Sequence, residues 1–280
     1  MLICLTLTAY RSLTTLTFAA LGLHPHVQVM NHGFDAVAES GALDLFEAPD
    51  EAGLDRLAET LHRLSLGGSS GQKGGNIRFS HALDRPAMRA AYEALQGDRL
   101  GKAPVGIVAW KEGSRLREHL IARGIDPVGL AGRLDRLRFV NPIRDPIDHA
   151  CSLHGFHAHP ARHPVPASLD STDLPALLRY VLRCAADAFA AEVLRPDRFL
   201  SFTEQEIGLK LLLRLADFLE IEPAGAWLAG ASSAFHSLRP YPRTRELTRL
   251  LDRLLETEHH ERPDFVAFIR QQALRRDVSA

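Results

Sequence analysis

Leu2-Ile3-Cys4-Leu5-Thr6-Leu7, then Thr8-Ala9-Tyr10-Arg11-Ser12-Leu13-Thr14-Thr15 and an apolar stretch of helical character to Leu23, decide how this chain is read. A β-type run that turns sharply into a helix leaves the first backbone N–H groups of that helix unpaired, where they bind anions. Arg11 adds a fixed cationic fork, and Ser12, Thr14 and Thr15 add hydroxyl donors in the same turn. Alone, this element points to a phosphate or sulfate cradle and nothing more specific, because many strand–loop–helix units carry an arginine and a few hydroxyls.

A second element lies about 130 residues further on. Arg136-Leu137-Arg138-Phe139-Val140-Asn141-Pro142-Ile143 reads as a strand that runs into Arg144-Asp145-Pro146-Ile147-Asp148-His149-Ala150-Cys151-Ser152. Pro146 suits the first turn of a helix, and Asp145 before it is a good N-cap. Arg144 then stands at the carboxyl end of the strand, and Ser152 follows about two helical turns later on roughly the same face. An arginine and a hydroxyl converging there could grip a phosphate. The plain alternative is an Arg–Asp surface pair and a helix serine.

In this order the two elements resemble the sulfotransferases that use 3′-phosphoadenosine-5′-phosphosulfate. In that family a loop reading roughly Lys/Arg-Ser-Gly-Thr-Thr binds the 5′-phosphosulfate, and Arg-Asp-Pro-x-Asp-x-x-x-Ser binds the 3′-phosphate. The first appears as Arg11-Ser12-Leu13-Thr14-Thr15, and the second matches at every defined position from Arg144 to Ser152. A weaker likeness is Arg198-Phe199-Leu200-Ser201-Phe202-Thr203-Glu204-Gln205-Glu206 with Leu211 to Leu219, similar to the family's late strand, acidic turn and helix. The resemblance spans most of residues 1 to 222. Leu13 stands where the family usually has glycine, which can take positive φ and lets the backbone approach a ligand. Either the loop keeps its shape with Leu13 turned into the core, or nucleotide binding is weakened.

Composition sets wider bounds. The chain has 280 residues, 46% hydrophobic and 24% charged, as an ordinary globular protein does. A net charge of −1 gives no general pull toward nucleic acid or anionic membrane, so any anion site is local. Cys4, Cys151 and Cys184 are too few and too scattered for a disulfide frame or a thiolate metal site, and a reducing, cytoplasmic compartment is the expectation. The apolar N-terminus lacks a basic leading segment and is interrupted by Arg11, so it reads as the first strand rather than a signal peptide. No run approaches the roughly 18 apolar residues of a membrane span.

Strands are expected at Leu2–Leu7, Val27–Met30, Pro104–Trp110, Arg138–Pro142 and Arg198–Phe202, with helical patterns between them. This alternation argues an α/β fold with a central parallel sheet covered on both faces. The resemblance adds the P-loop-like sulfotransferase fold, as one domain over 1–280 with a helical portion at about 224–280. Asp50–Leu64 and Asp84–Leu95 read as surface helices, Asp173–Leu194 as a long helix on the sheet, and Arg243–Leu255 and Pro263–Arg275 as amphipathic helices. The glycine-rich 67–75 segment reads equally as a plain linker or as a loop closing over an acceptor.

The resemblance implies in-line transfer of a sulfuryl group to a hydroxyl or amine, with adenosine 3′,5′-bisphosphate leaving and no metal required. Arg11 would neutralise the bridging oxygen. The Ser12, Thr14 and Thr15 hydroxyls and the backbone N–H groups of residues 12 to 15, Leu13 included, would hold the 5′-phosphate. Arg144 and Ser152 would hold the 3′-phosphate. His32, after the second strand, is the first candidate for the base, since imidazole titrates near neutrality. Glu112 is its rival, and Lys111 is placed to touch the sulfate. His154, His157, His159 and His163, with His149 before them, lack the paired cysteines of common zinc sites and read as a loop beside the nucleotide. Arg239, Tyr241 and Arg243 read as a solvated, proline-stiffened turn. The acceptor, whether small molecule or glycan, and the oligomeric state are open. A nucleotide-dependent kinase or hydrolase is disfavoured because Gly-x-x-x-x-Gly-Lys-Ser/Thr is absent. A ligand-binding protein that no longer turns over is the alternative outside enzymology.

Overall fold

Strand and helical segments alternate as far as Thr203, after which the described residues form only helical elements, in the computed structural model, which describes residues 1–68, 74–157, 169–170, 172–235 and 241–277. Among these, the strands are β1 (Leu2–Leu5), β2 (Val27–Asn31), β3 (Ile107–Lys111), β4 (Leu137–Ile143) and β5 (Phe199–Thr203). The first six helices are α1 (Thr14–Gly22), α2 (Phe34–Glu39), α3 (Glu51–Ser65), α4 (Pro86–Gln96), α5 (Gly113–Ala122) and α6 (Pro127–Arg133). Then come α7 (Pro146–His157), α8 (Leu174–Leu194), α9 (Leu209–Phe218), α10 (Gly225–Ala234), α11 (Arg245–Glu258) and α12 (Pro263–Asp277).

The sheet has order β2-β3-β1-β4-β5, and every pairing is parallel. Alternation along each strand divides the core between its faces. Cys4, Val29, Ala109 and Val140 pack with α1, α4, α9 and α10 on one face, and Ile3, Leu5, Val108, Trp110 and Phe139 pack with α3, α5 and α6 on the other. Helix α1 is buried almost all round, and Trp227 of α10 donates its indole N–H to the carbonyl of Ala20 at 2.9 Å. A third cluster joins α7, α8, α11 and α12 around Leu178, Leu254 and Phe265. The α/β architecture with a parallel sheet flanked on both faces is therefore the one the alternation predicts.

Boundaries differ where side chains intervene. The first strand stops at Leu5, not Leu7, because the Leu7 N–H leaves the ladder for the Asn141 side-chain oxygen at 2.9 Å. The third begins at Ile107; α2, α5 and α6 carry no expectation from the sequence, whereas α10 to α12 fall within the helical portion expected at about 224–280. Pro142 sits inside β4, a central strand, without losing a ladder bond. Phe139 donates toward β5, so by alternation the Pro142 nitrogen faces β1, whose pairing with β4 ends at Phe139.

This strand order places a topological switch point between β1 and β4. The chain leaves β1 toward β2 on one side, while β4 leads to β5 on the other. Their adjacent carboxyl ends form the crevice at which open α/β sheets bind ligands.

Candidate active site

Both candidate anion elements, the β1–α1 loop and the start of α7, lie at the carboxyl ends of β1 and β4. The β1–α1 loop bends through two left-handed residues, Arg11 and Leu13, each with φ of 70°. Leu13 is the N-cap of α1, and its carbonyl accepts the first helical bond from the Thr17 N–H at 3.0 Å. The side chain is 5% exposed. Of the two outcomes open for this position, the loop keeps the glycine-like conformation with the leucine turned inside, against a cost of roughly 1–2 kcal/mol for left-handed backbone. The Ser12 hydroxyl is spent within the loop, donating to Thr8 Oγ1 at 2.7 Å, whereas Thr15 remains half-exposed. Gly113 lets the loop pass, since a Cβ there would lie 2.5 Å from the Thr8 carbonyl oxygen.

After β4, Asp145 caps α7 as its sequence suggested, accepting from the Asp148 N–H at 3.1 Å. The two elements, distant in sequence, are joined directly. Arg11 Nε donates to Ser152 Oγ at 3.1 Å, and Arg144 Nη1 donates to the Arg11 carbonyl at 3.4 Å. His149, buried behind the loop, holds the Tyr10 carbonyl at 2.6 Å through Nε2; burial pushes its pKa down to about 3, so the ring is neutral and donates.

Arg144 is only 2% exposed. Glu204, from the acidic turn after β5, places Oε2 3.6 Å from Arg144 Nε, and the Tyr241 ring lies 5.6 Å from its guanidinium carbon. The Tyr241 N–H donates to Asp148 Oδ1 at 3.0 Å, and Arg243 is ion-paired to Asp145. The 241–243 segment is thus docked on the Arg-Asp-Pro motif through the Tyr241 N–H and Arg243, while the Tyr241 and Pro242 side chains stay exposed as the solvated reading expects. Arg239 lies outside the described residues. The histidine-rich segment is corrected: through His157 it is helix α7, not loop, since Pro146 and the Asp145 cap start a helix that nothing breaks before then. His159 and His163 lie outside the described residues.

The carboxyl ends of β2 and β3 carry the proton-handling candidates, and the structure brings all of them together. Lys111 Nζ donates to His32 Nε2 at 2.7 Å, which leaves the proton of the neutral ring on Nδ1, 3.6 Å from Glu112 Oε2. The Tyr10 hydroxyl, from the anion loop, donates to Glu112 Oε1 at 3.0 Å. The Trp110 indole N–H holds the His32 carbonyl at 2.8 Å, where the backbone is left-handed with φ of 59°. Desolvation lowers the His32 pKa below its ordinary 6.5, reinforced by Lys111 and opposed by Glu112. Burial likewise pulls Lys111 down to about 8. The rivals His32 and Glu112 are therefore members of one network.

Two residues of this site carry no motif in the sequence. Tyr10 is one. The other is His81, on a short 3₁₀ turn, which stays accessible at the surface; partial desolvation and then the charges of Lys111 and Arg11 push its pKa down to about 4. The glycine-rich segment also has its base here. Asn31 donates its N–H to the Gly75 carbonyl at 2.8 Å, and Gly33, with φ of 88°, abuts Gly74 so closely that a Cβ would meet its Cα at 2.5 Å. Residues 69–73 lie outside the described residues. Among the described residues no helix is long and apolar enough to cross a membrane.

No protein-family model matches the chain, and no curated protein matches it. Among solved structures it is similar to the sulfotransferase domain from the Synechococcus PCC 7002 olefin synthase, at 15% identity and a TM-score of 0.42, over 90% of this chain and 94% of that one.

Proposed function

We propose that the chain is a sulfotransferase that moves a sulfuryl group from 3′-phosphoadenosine-5′-phosphosulfate to a hydroxyl or amine. One observation carries this reading: Arg11, bonded to Ser152, and Arg144, bonded to the Arg11 carbonyl, make a single cationic site beside a His32–Lys111–Glu112 network. Transfer of this kind needs little covalent help from protein and depends on positioning and charge stabilisation.

The residues divide the work as follows. Arg144 and Ser152 bind the 3′-phosphate, with Tyr241 shifting off Arg144 to admit it. Arg11, the Thr15 hydroxyl and the first N–H groups of α1 hold the 5′-phosphate. Lys111 exchanges His32 Nε2 for an oxygen of the transferring group, and this frees the imidazole lone pair. His32 then takes the acceptor's proton on Nε2 as the acceptor–sulfur bond forms and the bond from sulfur to the 5′-phosphate oxygen breaks. Arg11 offsets the charge left on that phosphate. Glu112 stabilises the imidazolium, and Tyr10 fixes Glu112. In the present arrangement Lys111 masks the base, so turnover waits for an anion.

Calorimetric titration tests the binding half: adenosine 3′,5′-bisphosphate should bind at least tenfold tighter than AMP, and equal affinities overturn the assignment. Transfer of labelled sulfate to a panel of acceptors tests the catalytic half. Tight bisphosphate binding with no transfer to any of them would favour a protein that binds nucleotide without turning it over.

A further inference from the structure

Arg144 is the cation assigned to the 3′-phosphate, yet its surface is 2% exposed. No phosphate meets a guanidinium that closed unless something moves aside. The side toward α8 offers no room. The cavity there, lined by Thr8, Ser12, Arg144, His149, Val181 and Cys184, measures about 10 Å³, space for about one water. The other side is covered by the chain itself. The Tyr241 ring lies 5.6 Å from the guanidinium carbon, and Tyr241 is itself exposed, so it forms a layer between Arg144 and solvent. Glu204 Oε2, 3.6 Å from Arg144 Nε, supplies the negative charge that a phosphate would bring.

What holds Tyr241 in place is equally specific. Its N–H donates to Asp148 Oδ1 at 3.0 Å, and Arg243 is ion-paired to Asp145. Both carboxylates are buried in the first turn of α7. Asp145 keeps the Asp148 N–H if Arg243 leaves, and Arg243, partly exposed, would carry its charge out to water. The next residue is fixed, because the Thr244 hydroxyl accepts from the Leu247 N–H at 3.2 Å and caps α11.

We infer, resting on the nucleotide reading above, that residues 241–243 are a latched gate over Arg144, opened by a ligand that carries a second phosphate. Glu204 balances Arg144 until then. A phosphate monoester, with a charge of about −1.5 to −2 at neutral pH against −1 for the carboxylate, outcompetes it at the guanidinium fork. Affinity for the bisphosphate is reduced by the fraction of molecules whose gate stands open. AMP, which reaches only Arg11 and the start of α1, carries no such reduction.

Two measurements on the full chain test this. The sequence has four tyrosines, so 3-fluorotyrosine labelling gives four ¹⁹F resonances, with Tyr241 assigned through Tyr241→Phe. Adenosine 3′,5′-bisphosphate should shift the Tyr241 resonance saturably, and AMP should leave it in place. In surface-plasmon-resonance kinetics, Arg243→Gln should speed association of the bisphosphate at least fivefold and leave that of AMP as in the parent. A Tyr241 resonance unmoved by bound bisphosphate overturns the gate while the nucleotide assignment stands. So does bisphosphate association that is unchanged or slower in Arg243→Gln, the slower case making Arg243 a phosphate ligand instead of a latch. Failure of the bisphosphate to bind at all falls on the assignment itself and takes the gate with it.

Discussion

The two halves of the crevice handle charge in opposite ways. Where β1 and β4 end, the cations are the guanidinium groups of Arg11 and Arg144, planar forks held by hydrogen bonds to Ser152 and to the Arg11 carbonyl. Where β2 and β3 end, the groups are an imidazole and an amine, and burial pushes both toward their neutral forms, His32 below 6.5 and Lys111 to about 8. On the proposed reading, the groups that grip the nucleotide's phosphates are arginines in a rigid network. On the same reading, the groups that take or hold a proton are side chains whose charge desolvation can tune. The halves meet at Tyr10, whose carbonyl is held by His149 on one side and whose hydroxyl holds Glu112 on the other. Substitutions on the first side should therefore move binding, and those on the second should move turnover and its pH dependence.

The largest effect separates the halves outright. His32→Ala should lower kcat by roughly 10²–10⁴-fold, the usual worth of a positioned base, with affinity for adenosine 3′,5′-bisphosphate unchanged. Intact turnover in that variant would transfer the role of base to Glu112. On the other side, Arg144→Lys keeps the charge but loses the planar fork and its hold on the Arg11 carbonyl. Affinity for the bisphosphate should fall roughly 10–100-fold, equivalent to about 1.4–2.8 kcal/mol by titration. A fall confined to kcat would erase the proposed division.

How much of this was legible beforehand follows the same line. Strand–turn–helix punctuation is local, so β1, the Asp145 cap, Pro146 and the arginines could be read from neighbours in sequence. The late acidic turn could be noted, but that Glu204 would stand against Arg144 depends on the β4–β5 pairing. His32 and Glu112 looked like competitors because each follows a different strand; only the β2–β3 register, with Asn31 opposite Lys111, makes them partners. Tyr10 and His81 carry no periodic or motif signal at all. The contacts of Tyr241 and Arg243 with Asp148 and Asp145 are hidden for a related reason: a proline-rich basic segment looks the same in sequence whether its acceptors are water or carboxylates.

The pH profile sharpens the contrast. A base must be deprotonated, so kcat/KM should rise with pH along a limb whose midpoint lies below 6.5, as the lowered His32 pKa requires. It should fall again near pH 8 as Lys111 loses its proton. Lys111→Arg removes the group that titrates, and the alkaline limb should vanish from the rate profile even where the rate itself drops. A limb that persists near 8 in this variant would belong to another group. Stability offers a separate readout on the loop side. His149 is neutral in the folded protein down to about pH 3, while in the unfolded chain it takes up a proton near 6.5. Between those values the unfolded state binds the extra proton, so stability is full above 6.5 and declines as pH falls, by at most about 1.4 kcal/mol per unit from this group. His149→Gln, which keeps a neutral donor for the Tyr10 carbonyl, should flatten Tm against pH between 6.5 and 5.

The smallest expected effect concerns Leu13, and its sign is the informative part. Leucine at φ of 70° stores roughly 1–2 kcal/mol of backbone strain, which Leu13→Gly would release. Against this, the side chain is 95% out of solvent by its 5% exposure, and its burial is worth roughly 1.5–3 kcal/mol. Glycine also brings roughly 0.5–1 kcal/mol of extra unfolded-state entropy. Loss of burial and gain of entropy together outweigh the relief, so Leu13→Gly should destabilise by roughly 1 kcal/mol in denaturant titration. Because the loop already has the left-handed turn that glycine would permit, affinity for adenosine 3′,5′-bisphosphate should change by less than about threefold, under 0.7 kcal/mol. A tenfold gain in affinity would mean that the leucine holds the loop away from its binding shape, and the anion half would then no longer be the preformed side of the site.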